Sequence, residues 1–136
     1  MTDHDLGEIL ITWKKALETF REVLALNETP VVRDAAIKRF EYNFELAWKT
    51  IKHFALLEGA DCNSPKGAFK EAFRLGWITD NELWLDMLDD RNQTTHTYRE
   101  ATADLVYPNL PKYLSAFQTL HATLQGLSVR DRPMKH

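Results

Sequence analysis

The chain has 136 residues, enough for one domain around one hydrophobic core. Its 44% hydrophobic and 27% charged content is ordinary for a globular protein, and its net charge of −3 argues against a general nucleic-acid binder, which carries a basic excess. The single cysteine, Cys62, excludes an internal disulfide; neither a leader pattern nor a run of about 18 apolar residues is visible, so a cytoplasmic protein without a membrane span is expected.

The first helix is expected from Thr2 or Asp3 to about Ala25. Leu6, Ile9, Leu10, Trp13, Leu17, Phe20 and Leu24 recur at spacings of three and four, which makes one apolar face. Thr29 followed by Pro30 signals the next helix start, and Gly59 its end. Within it Ile37, Phe40, Phe44, Trp48, Ile51 and Ala55 form a core stripe. Tyr42, Leu46, His53 and Leu57 widen that stripe, so this helix is expected to be central and to pack on a second chain as well.

Ser64-Pro65 repeats the cap-plus-proline start for a short helix that carries Ala68, Phe69, Ala72 and Phe73 and stops at Gly76. Thr79 with Glu82 three residues on reads as a capping box for a fourth helix bearing Leu83, Trp84, Met87 and Leu88. Arg91 continues that apolar face by one turn. The last helical pattern runs from Glu100 to about Gln125, bent or divided near Pro108 and Pro111. No strand-like alternation, repeat or glycine-rich loop occurs. The expected architecture is all-α: an up-down helical bundle of four long helices plus a short one over residues 1–127, dimeric, with a flexible tail over 128–136.

Chemistry concentrates in Arg91-Asn92-Gln93-Thr94-Thr95-His96-Thr97-Tyr98, flanked by Asp89, Asp90 and Arg99. His96 is the one group here that titrates near neutral pH, which suits a general base or acid. Arg91 is permanently charged and can hold a phosphate or stabilise a pentacoordinate transition state. Asn92 is placed to orient the imidazole or bond a phosphate oxygen, and Asp90 to tune the imidazole or pair with Arg91. A lone histidine without clustered Cys or His makes a zinc site unlike the pattern, so no metal and no cofactor are expected. These residue types fit cleavage of RNA by its own 2′-hydroxyl. They equally fit an interhelix ion pair and a helix-end cap. On an unbroken α-helix Arg91 and His96 would stand about 140° apart, so they converge only if the helix loosens over Gln93-Thr94-Thr95 or if two chains meet.

Arg91-x4-His96-x-Tyr98 resembles the Arg-x4-His-x-Tyr motif of HEPN-domain proteins, the toxins of HEPN/MNT toxin–antitoxin pairs. Phe40-Glu41-Tyr42-Asn43-Phe44-Glu45-Leu46-Ala47-Trp48-Lys49 resembles the second-helix signature of the branch described as nucleotidyltransferase substrate-binding proteins. Ser64-Pro65-Lys66, Ala72 to Ile78 and Trp84 to Leu88 follow in the same order, so the likeness covers about residues 5–125. The resemblance implies a homodimer with two Arg–His motifs facing one cleft and a minimal nucleotidyltransferase (MNT) antitoxin as partner. It further implies metal-independent cleavage of RNA by Arg91 and His96, and Tyr98 as the acceptor of AMP that silences the toxin. The alternative is a non-catalytic subunit that presents substrate to the transferase. A helical dimer with a purely structural role is the third reading.

Overall fold

Side-chain caps and glycines delimit the helices. The computed structural model describes residues 3–96 and 99–130. Helix α1 spans Asp3–Leu24 and α2 spans Pro30–Leu57. The Thr29 hydroxyl accepts from Val32 N at 3.1 Å at the start of α2. Helix α3 spans Pro65–Arg74, and Ser64 caps it in the same way through Gly67 N. Both helices end alike. Gly59 and Gly76 take left-handed φ values of +84° and +79°, which lets Ala60 N reach back to Ala55 O and Trp77 N to Ala72 O.

Helix α4 spans Asn81–Gln93, and its cap is Asp80, whose carboxylate accepts from Leu83 N at 3.0 Å. The expected cap, Thr79, therefore lies one residue too early. A 3-10 turn at Thr94–His96 follows α4. Helix α5 (Glu100–Val106), a 3-10 turn at Tyr107–Asn109 and α6 (Leu110–Arg130) then run on without a break, so Pro108 divides the last helical stretch as its position suggested. Counting that stretch as one, the described residues form five helical units and no strand. Three are long; α4, at 13 residues, is shorter than expected. Helix α6 continues to Arg130 rather than ending near Gln125, because half-buried Leu127 extends the spacing of Leu120 and Leu124 against the core. The remainder of the expected tail, 131–136, lies outside the described residues.

Helix α2 is the centre of the bundle, packing on α1, α3, α4, α5 and α6. Its Phe40 is fully buried, with ring centroids 5.4 Å from Tyr113, 6.2 Å from Phe117 and 6.5 Å from Phe20. Each such aromatic pair contributes about 0.5–1.5 kcal/mol beyond area burial. Buried Asn43 ties α2 to α1 by donating to Ala16 O at 3.0 Å and to Arg39 O at 2.9 Å. The wider stripe on α2 divides. Leu46 and His53 are half-buried, whereas Tyr42 and Leu57 stand exposed. No helix among the described residues is long and apolar enough to cross a membrane.

Candidate active site

Two threonines end helix α4. Thr94 Oγ1 lies 2.6 Å from Arg91 O, and Thr95 Oγ1 donates to Asn92 O at 3.1 Å. The Thr95 bond to a carbonyl three residues back competes with the i−4 ladder, and the backbone tightens into the 3-10 turn that carries His96. The segment expected to loosen stays α-helical to Gln93 and then tightens, so it does not bring Arg91 and His96 together within one chain. With three of the five steps at about 120° instead of 100°, Arg91 and His96 diverge to about 160° around the axis. Their surroundings match that divergence: Arg91 is half-buried, and His96 is exposed.

Arg91 turns toward α2. Its Nη2 donates to Glu45 Oε1 at 2.5 Å, and its guanidinium carbon lies 5.2 Å from the centre of the Phe44 ring. Both partners of the ion pair keep about a third of their side-chain surface exposed, 34% for Arg91 and 33% for Glu45. The second oxygen of Glu45 accepts from Trp48 Nε1 at 3.2 Å and lies 3.6 Å from Lys49 Nζ. One turn along α2, Glu41 Oε2 takes the Thr94 hydroxyl at 3.0 Å. From 91 to 94 the partner on α2 moves back from 45 to 41, so the two helices run antiparallel here.

Asp90 faces the opposite way. Its Oδ2 accepts from the Tyr113 phenol at 2.6 Å and from Asn109 Nδ2 at 2.9 Å. Burial, then this hydrogen bond and the carboxylate charge, push the Tyr113 phenol far above its ordinary value. Asp90 therefore fastens α4 to the start of α6, and the ion pair of Arg91 is made with Glu45. Asn92 is exposed. Tyr98 lies outside the described residues.

Comparison with known proteins places the chain in a family. Residues 8–126 match the family described as "Nucleotidyltransferase substrate binding protein like". The chain belongs to this family. A curated Haemophilus influenzae protein named "Probable ribonuclease HepT" is 35% identical over 85 residues, a match that spans 58% of this chain and only 58% of that relative. A solved structure from Thermus thermophilus is 39% identical, with a TM-score of 0.79 over 83% of this chain and 98% of its own. A Haemophilus influenzae structure described as the fold of a substrate-binding domain of a nucleotidyltransferase superposes with a TM-score of 0.65. It covers 91% of this chain and 99% of that one at 24% identity, a likeness of fold.

Sequence reasoning missed the partners that α2 offers to Arg91 and Thr94, which are Glu45 and Glu41. The signal was present. They lie four apart, hence on one face, in a helix whose buried positions, apart from Asn43 and Thr50, are apolar. A concavity of about 440 Å³ lies elsewhere, between the α3–α4 connection and α6, and Trp77, Trp84 and Lys112 line it. Among the described residues no group of three or more His, Cys, Asp or Glu side chains is gathered as a metal donor set.

Proposed function

We propose that this chain is the toxin of a HEPN/MNT-type pair, a metal-independent endoribonuclease that works as a homodimer. The observation that carries the reading is the presentation of Arg91: a braced, partly exposed guanidinium at the end of α4, three residues before the 3-10 turn that ends in exposed His96. The two side chains diverge within one chain. A two-fold arrangement brings the Arg91 of one protomer toward the His96 of its partner, which completes a site that one protomer lacks. His96 removes the proton of a ribose 2′-hydroxyl, the freed oxygen attacks the adjacent phosphorus, and the bond to the 5′-oxygen breaks as that oxygen is protonated. Arg91 stabilises the charge that accumulates on the non-bridging oxygens. A partner nucleotidyltransferase silences the enzyme by transferring AMP from ATP to the Tyr98 hydroxyl with release of pyrophosphate, two residues from the base, where a bulky anion repels RNA.

The test is cleavage of RNA by the purified chain in EDTA, alongside growth of a bacterial host expressing it without a partner. Cleavage and arrest by the wild type, with arrest relieved and cleavage lowered about 100- to 1000-fold in His96→Ala and Arg91→Ala, support the proposal. Normal growth with soluble protein and intact RNA would sink it. The family description favours a second reading in that event: a non-catalytic subunit that presents substrate to a nucleotidyltransferase, with Arg91 contributing binding alone.

A further inference from the structure

An arginine side chain has enough rotatable bonds to lose about 2 kcal/mol of rotamer entropy when fixed, so a loose guanidinium is a poor partner for a developing charge. Arg91 is not loose. Glu45 Oε1 accepts its Nη2, and the Phe44 ring lies beneath it at 5.2 Å. Glu45 cannot swing freely either, because its other oxygen accepts from Trp48 Nε1 at 3.2 Å and faces Lys49 Nζ at 3.6 Å. Contacts on both oxygens set the carboxylate plane, and that plane with the aromatic face sets the guanidinium plane. Glu41, one turn away, anchors the following turn through Thr94.

We infer that Glu45 is a positioning residue for Arg91: it selects which guanidinium edge faces a bound RNA phosphate and holds that edge still. The inference rests on the ribonuclease reading. Its energetic signature differs from that of a simple binding contact. The negative charge of Glu45 offsets part of the attraction between Arg91 and a singly charged phosphodiester. In the pentacoordinate transition state more charge gathers on the non-bridging oxygens, and a fixed guanidinium gains most there. Glu45 therefore acts on kcat and not on affinity.

The experiment is oligoribonucleotide cleavage by the full chain in five forms: wild type, Glu45→Ala, Glu45→Gln, Arg91→Ala and the double variant Glu45→Ala/Arg91→Ala. Glu45→Ala is expected to lower kcat about 10- to 100-fold, with KM unchanged or lower. Glu45→Gln keeps the shape and one acceptor oxygen and is expected to recover most of the loss. The double variant is expected to be no slower than Arg91→Ala, since Glu45 acts through Arg91. Wild-type kcat in Glu45→Ala, a KM increase without a kcat loss, or losses that multiply in the double variant would each overturn the inference while leaving the ribonuclease reading in place. Absence of cleavage by the wild type removes that reading, and the inference with it.

Discussion

Two of the seams that hold polar side chains do so in opposite ways. Where α1 meets α2 and α6, the groups end on backbone carbonyls away from solvent. Asn43 donates to Ala16 O and Arg39 O, and His121 Nε2 lies 2.8 Å from Leu10 O with the Trp13 ring 5.1 Å away. Where α2 meets the end of α4, carboxylates face a guanidinium and a hydroxyl, and the ion pair stays open to water. A bond to a buried carbonyl holds helices together and can do little else. An exposed ion pair contributes only about 0–1 kcal/mol to stability, so stability is a weak account of its presence. The contrast separates residues that build the fold from residues that, on the proposed reading, are offered to a ligand.

Four measurements break or sharpen that contrast. Phe40→Ala, at the centre of the buried rings, is expected to cost about 3–5 kcal/mol in urea unfolding, the largest effect of the set. Asp90→Ala leaves the Tyr113 hydroxyl without its acceptor and Asn109 with Leu105 O alone, and is expected to cost about 1–3 kcal/mol. Full stability in Asp90→Ala with loss of RNA cleavage would move Asp90 from the fold to the site.

The third measurement concerns pH. Burial pushes the His121 imidazole below its ordinary value of 6.5, with the Leu10 hydrogen bond opposing part of that shift. The folded state therefore binds this proton less readily than the unfolded chain. Its contribution is complete above about pH 6.5 and declines as pH falls from there through the folded value. The urea midpoint of the wild type is expected to drop between about pH 7.5 and about pH 5.5, and His121→Gln to drop less. His53, shifted down by burial and by Lys52, contributes equally to both proteins. Equal slopes for the two would mean that His121 is solvated and that the α1–α6 seam is not dry.

The smallest stability effect belongs to the site. Arg91→Ala is expected to change unfolding by no more than about 1 kcal/mol while RNA cleavage falls about 100- to 1000-fold. A loss comparable to that of Phe40→Ala would make Arg91 a residue of the fold.

Much of the architecture is written in local signals. Thr29-Pro30, Ser64-Pro65, Gly59 and Gly76 mark helix limits because caps, proline and left-handed glycines act over three or four residues. The apolar spacing of α1 likewise marks what is buried: Leu6, Leu10, Trp13, Leu17 and Phe20 all are. Local signals fail where neighbours compete. Thr79 and Asp80 are both good caps, and only the reach of the Asp80 carboxylate to Leu83 N selects between them. The end of α6 was missed because Leu127 sits within a stretch otherwise polar enough to read as a tail.

The candidate site divides in the same way. Residue types and spacing alone identified Arg91 and His96 as the chemically distinctive pair and required their divergence on a helix, since both statements depend only on chain geometry. Tertiary structure decided their partners. Glu45 reaches Arg91 from 46 residues away, and Asp90 turns to Tyr113, 23 residues away, instead of to its neighbour Arg91. Such pairings depend on how two helices cross and in what register. Periodicity says which face of a helix is covered; the packing of whole helices determines what covers it.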